Sequence, residues 1–159
     1  MGLRLTIELV PESAFYKNLR SEISPKEWDL LRRASYRKAG YCCEICGEIS
    51  PKHSHPVECH EIWEYDDKKH IQRLVGVQAI CPPCHACKHY GLSQLRGIEE
   101  TCIRHMMKVN SMKRGAVLEM VAAAFDKWQD RSEYEWKLDI TWLDHARKHF
   151  KQEVVCKSN

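Results

Sequence analysis

The run CPPCHACKH, residues 81 to 89, places three cysteines and two histidines side by side, and an earlier knuckle adds Cys43 and Cys46. Two C-x-x-C pairs, Cys43/Cys46 and Cys81/Cys84, can bring four thiolates to one tetrahedral zinc, because each pair sits on a tight turn that points both sulfurs the same way. The stretch between the pairs, residues 47 to 80, is longer than a simple zinc ribbon needs and has room for a hairpin. A single redox C-x-x-C with buried cysteines is the plainer alternative. It leaves the second pair and the histidines without a role.

A second group consists of Cys59, His60, His85, Cys87 and His89. On a helix His85 and His89 stand four apart, so both imidazoles share a face and can grip one ion. Cys87 points elsewhere and reads as core. Cys59 and His60 are adjacent on a predicted strand and leave it on opposite faces. One of them can approach the ion of His85 and His89 while the other serves a different role nearby. Such a site stands apart from the four thiolates and open to solvent, as a catalytic metal requires.

Other polar residues carry weaker signals. Glu61 and Glu64 alternate with the strand and suit either an imidazole partner or an acidic surface. Asp66 and Asp67 fall in a turn, where aspartate is common for backbone reasons. His53 and His55 lie on a loop. His105 and the pair His145/His149 sit on helical stretches that offer no cysteine partner. The tryptophans read as core, with Trp63 flanking the histidine group.

The elements that must position these residues follow from pattern. Residues 3 to 9, LRLTIEL, alternate apolar and polar and predict a strand. Ser24-Pro25-Lys26-Glu27 is a capping box that starts a helix with Trp28, Leu31, Ala34 and Tyr36 inward and Gly40 at its end. Arg32, Arg33, Arg37 and Lys38 lie on its outer face, where they meet phosphate or merely water. VECHEIWEY (57–65) and QRLVGVQAI (72–80) predict an antiparallel pair. A helix begins near Pro83 and runs through His89 to about Gly91. Ser93 is placed as the cap of the next helix, which continues through Met107, and Asn110 or Ser111 as the cap of another. WKLDITWL (136–143) fits a short strand that could pair with LRLTIEL, or the entry to a final helix.

Composition bounds the rest. The chain has 159 residues, 43% hydrophobic and 30% charged, as one globular domain would. No apolar run approaches the roughly 20 residues of a membrane span. MGLRLTIELVPES lacks the long apolar core and cleavage site of a signal peptide, so a cytoplasmic setting is expected. There nine cysteines suit metal thiolates rather than disulfides, with Cys102 and Cys156 inert. The net charge of +3 says little. Its distribution says more: after the acidic stretch to Asp67, residues 68 to 98 carry Lys68, Lys69, Arg73, Lys88 and Arg96 and no acid. That basic stretch suits a polyanion, or simply a solvated surface.

A C-x-x-C knuckle, the dipeptide Cys59-His60 on the first strand of a hairpin, and C-x-x-C-H-x-x-x-H opening a helix resemble the HNH, or ββα-metal, endonucleases. More closely, CHEIWEYDD, QRLVG and CPPCHACKHYG look like short bacterial and phage HNH-domain proteins, over roughly residues 40 to 91. The resemblance implies an α+β fold, with a zinc-stabilised ββα core inside a mainly helical single domain. Residues 1–40 would form an N-terminal strand and helix, 41–91 the core, and 92–159 a packed helical region. It implies His60 as general base, and His85 and His89 on a divalent metal (Mg, Mn, Ni or Zn). Cys59 would stand where many members have an Asp or His ligand, and Cys43, Cys46, Cys81 and Cys84 would hold structural zinc. The expected substrate is nucleic acid, DNA before RNA, with a homodimer suited to double-strand cleavage. Two departures stand out: Gly76 occupies the place of the family's middle Asn, with Gln78 the nearest polar residue, and a thiolate at position 59 would favour zinc over magnesium. A site closed by Cys59, His85 and His89 would instead make a silent zinc module that binds nucleic acid or protein.

Overall fold

A computed structural model of the chain describes residues 2–15, 18–49 and 56–148, so His53, His55, His149 and Cys156 fall outside the described residues. The α+β expectation holds, with helices packed around one three-stranded sheet. Among the described residues no helix is long and apolar enough to cross a membrane.

The capping box does what its residue types require. A short helix, α1 (Leu19–Glu22), precedes α2 (Pro25–Lys38), and the Ser24 hydroxyl accepts from the Glu27 amide at 3.2 Å. Gly40, at φ +60°, turns the chain out of α2, and the Tyr41 amide reaches back to the Tyr36 carbonyl at 2.9 Å.

The two β-prone segments form β1 (Glu58–Asp66) and β2 (Ile71–Ile80), paired antiparallel with His60 opposite Gln78 and Ile62 opposite Gly76. Asp66 earns its place in the turn by accepting from the amides of Lys68 and Lys69, at 3.1 and 3.0 Å. A register shift at Ile62/Trp63 marks a bulge. The WKLDITWL segment divides between β3 (Lys137–Asp139), parallel to β2, and a helix over 142–148.

LRLTIEL joins no ladder, and the chain bends at Arg4 and Leu5. Its backbone is held instead by the Asn110 side chain, which takes the Arg4 and Leu5 amides and donates to the Leu5 carbonyl. The Glu8 amide donates to the Lys88 carbonyl at 3.0 Å. Side-chain hydrogen bonds thus replace the neighbouring strand that an alternating pattern anticipates.

The helix after the second C-x-x-C, α3 (Pro82–Lys88), stops at His89, and α4 (Tyr90–Leu95) starts immediately after it. Ser93 is no cap: it lies buried inside α4 with its hydroxyl on the Ala86 carbonyl at 2.8 Å. The next helices are α5 (Glu99–Asn110) and α6 (Arg114–Ser132), the latter with Lys113 in its N-cap position and no side-chain cap bond. The expected cap, Asn110 or Ser111, falls elsewhere: Asn110 is the last residue of α5 and Ser111 its C-cap, at φ 52°. Leu5, Ile80, Tyr90, Ile103, Met106 and Val117 share one buried cluster with Cys43, Cys81, Cys84 and Cys87, and Leu19, Leu31, Leu74 and Leu143 form another.

Candidate metal centres

The knuckle before β1 and the N-terminus of α3 meet at the four cysteines. The sulfurs of Cys43, Cys46, Cys81 and Cys84 all lie within 4.8 Å of one another, so one ion could be held among them. Local backbone explains the knuckle: the Cys46 amide points at the Cys43 sulfur at 3.5 Å, and the Gly47 amide closes on the Cys43 carbonyl at 2.8 Å. Gly47 takes φ +77°, which a residue with a side chain adopts at a cost. Hydrogen bonds from Cys81 and Cys84 drive Cys43 strongly toward the thiolate, and the same contacts push those two thiols up. Cys43, Cys81 and Cys84 therefore titrate as a unit. Four soft sulfur donors suit zinc.

His60, His85 and His89 make a second group, again with one ligand atom each inside a 4.8 Å sphere. β1 delivers His60, and α3 with its stop delivers the other two. A carboxylate can only accept, so each of the first two rings is fixed in one tautomer. His85 Nδ1 donates to Glu58 Oε2 at 2.5 Å, which leaves its Nε2 with a lone pair 3.0 Å from His89 Nε2. The proton that this nitrogen-to-nitrogen contact needs is the one a metal ion would replace, so the donor set fits a cation. Burial pulls the His85 pKa down against the pull of Glu58, and lost hydration, then repulsion from His85 and His60, takes His89 to about 4. Both imidazoles are held neutral, the form that ligates.

His60 is buried, and its Nε2 donates to Glu8 Oε2 at 2.8 Å, leaving Nδ1 as the basic nitrogen. Lys88 holds the other Glu8 oxygen at 2.6 Å and also reaches Thr6. Burial alone would raise the Glu8 pKa, but His60 and the Lys88 charge outweigh it and keep the carboxylate ionised.

No protein-family model, curated protein or solved structure matches this chain.

The structure separates the sequence candidates. Strand alternation sends Cys59 to the face opposite His60, beside Ser35 of α2, where burial pushes its thiol up to about 12. The histidine group forms without it: His60 approaches His85 and His89, and the expected ligand role of Cys59 gains no geometric support. Lys88, placed by sequence among residues for a polyanion, is only 5% exposed and neutralises Glu8 instead. Arg73 is paired with Asp139 at 3.0 Å, while Lys68, Lys69 and Arg96 are exposed. Lys68 and Lys69 sit on the hairpin turn, past the end of β1 at Asp66, which at strand rise lies about 20 Å from His60. Glu61 accepts from the Trp63 indole at 3.0 Å, and Asp67 takes the Arg131 guanidinium with both oxygens. Cys87 and Cys102 are buried, as their core reading requires.

His105 does have a cysteine partner, contrary to the sequence reading: its Nε2 lies 3.2 Å from the Cys84 sulfur. Glu8, Glu58 and Arg20, which faces His85 across a groove, were also passed over. Glu58 alone left a trace, since it stands two residues before His60 and must share its face of the strand.

Proposed function

We propose that the chain is a metal-dependent endonuclease of the HNH type that hydrolyses phosphodiester bonds, in DNA before RNA, with its hairpin and α3 forming a ββα-metal core. The observation that carries this reading is the His60–Glu8 contact at 2.8 Å beside two convergent imidazoles. A base, a carboxylate that orients it and a pair of metal-ready nitrogens are the parts that phosphate hydrolysis needs. Glu8 supplies the orientation for which the family uses Asn, and so offsets the glycine at position 76.

His60 Nδ1 takes a proton from water, the water oxygen attacks phosphorus, and the bond to the departing sugar oxygen breaks, that oxygen taking a proton from solvent as it leaves. Glu8 stabilises the imidazolium that forms, and Lys88 keeps Glu8 from turning away. A divalent ion on His85 and His89 would supply positive charge against the phosphate oxygens when bound. Imidazole donors favour zinc or nickel there over magnesium. The four cysteines would hold structural zinc.

One observation favours a second reading. His60 lies within the same 4.8 Å group, so three imidazoles could close on a single zinc and leave a binding module with no base. Metal content and plasmid nicking, compared across Mg, Mn, Ni and Zn, separate the two. The proposal expects two ions per chain, and a His60→Ala protein that keeps both but no longer nicks. Loss of the second ion in His60→Ala, from a wild-type protein that holds two ions and never nicks, supports the closed set. Binding without cutting, of plasmid and of a single-stranded circle alike and under every metal, overturns the nuclease.

A further inference from the structure

We infer that the groove beside His85 receives one unpaired nucleobase, so that the nucleic acid cut by this chain is single-stranded at the cut; this rests on the nuclease reading and names its substrate. The groove has a volume of about 490 Å³ and runs between α2 and the start of β1. Small-ligand pockets span roughly 300–1,000 Å³, and a single base with its sugar fits that range. A base inside a duplex shows only its edge and cannot enter without leaving the stack.

The lining has the chemistry of a base and its phosphate. Trp28, Tyr36 and Tyr41 supply aromatic surface, and the His85 ring belongs to both the groove and the histidine group. A base held here therefore sets its own phosphate beside the basic and metal-ready nitrogens. Arg20 lies over the Trp28 ring at 4.5 Å and, among the described residues, has no carboxylate in ion-pair range. Arg32 differs, since Asp29 already takes its Nε at 2.8 Å. Glu58, the carboxylate of the lining, turns one oxygen to His85 Nδ1 at 2.5 Å.

Tyr41 adds an independent indication. Its φ of +60° is a conformation that bulky residues rarely take, and it holds a ring 51% exposed at the rim of the groove. The fold thus keeps an aromatic face open where a stacking partner would enter.

Fluorescence anisotropy with a labelled 12-nucleotide DNA strand, alone and annealed to its complement, tests the assignment. It is run on the whole protein without added divalent ion, with strand integrity checked on a gel. The single strand is expected to bind at least tenfold tighter than the duplex. Tyr41→Ala and Arg20→Gln should each weaken it about five- to a hundredfold, the range for losing one stacked base, with the melting temperature unchanged. Equal binding of strand and duplex, or a Tyr41→Ala protein that binds as wild type does, overturns the inference, and the nuclease survives if both substrates are still cut. Tyr41-dependent binding of the strand with no cleavage under any metal keeps the groove and removes the nuclease.

Discussion

Glu8 serves two partners at once, and a variant can separate them. Its carboxylate orients His60 through one oxygen and neutralises buried Lys88 through the other. Glu8→Gln keeps the shape but leaves a buried ammonium unmatched, which costs about 3–5 kcal/mol. Cleavage should also fall by about 10- to 100-fold, the usual effect of removing an orienting partner. Adding Lys88→Met to Glu8→Gln removes the orphan charge, so urea unfolding should return toward wild type while kcat stays low. A double variant that regains cleavage would mean that Glu8 acts through stability alone. The same residue shows what the sequence could and could not disclose. Cys43/Cys46, Cys81/Cys84 and His85/His89 were legible because metal ligands come in short local spacings. The partners Glu8–His60, Glu58–His85 and Cys84–His105 are 52, 27 and 21 residues apart, and only the folded chain brings them together.

At the scale of elements, the cysteine group fastens two pieces that share no helix and no strand pairing: the knuckle leading toward β1 and the first turn of α3. The starts of elements were legible where a local signal fixes them, as Ser24 and Pro25 fix α2. The stop of α3 at His89 and the unlaced LRLTIEL were not, since tertiary partners decide both. Because α3 carries His85 and ends on His89, whatever the cysteines hold governs the histidine group. Stripping the thiolate-bound ion with a strong chelator should therefore lower stability and release the ion on the histidines as well. At an ion concentration about a thousandfold above Kd, binding contributes about 4 kcal/mol. For a chain of this size that is a fall of about 8–16 °C in Tm. Calorimetry with and without chelator measures the fall, and Cys46→Ser should reproduce it. Chelation that empties the histidine group and leaves Tm unchanged would show that α3 stands without the clamp.

Seen whole, the molecule depends on a segment that belongs to no sheet or helix. The backbone of residues 4 to 10 is tied to α5 through Asn110, to α3 through the Glu8 amide, and to α6 through the Trp128 indole on the Val10 carbonyl at 3.0 Å. The Arg4 guanidinium adds the knuckle through the Ile45 carbonyl at 2.6 Å. Leu5 is fully buried, so its amide and carbonyl must be satisfied, and Asn110 satisfies both, at 2.9 and 2.7 Å. Asn110→Ala strands that pair, at about 1–3 kcal/mol for each group. A loss of about 2–6 kcal/mol follows, or very roughly 5–20 °C in Tm. Asn110→Asp keeps the acceptor for the Arg4 and Leu5 amides and loses only the donor, so it should fall between the two. The effect must also travel, because the segment that Asn110 pins is the one that carries Glu8. Hydrogen exchange in Asn110→Ala should show the Leu5 and Glu8 amides losing protection together, and cleavage falling with them. If the Leu5 amide opens while that of Glu8 stays protected and cleavage is unchanged, Asn110 secures Leu5 only, and the Lys88 contact alone positions Glu8.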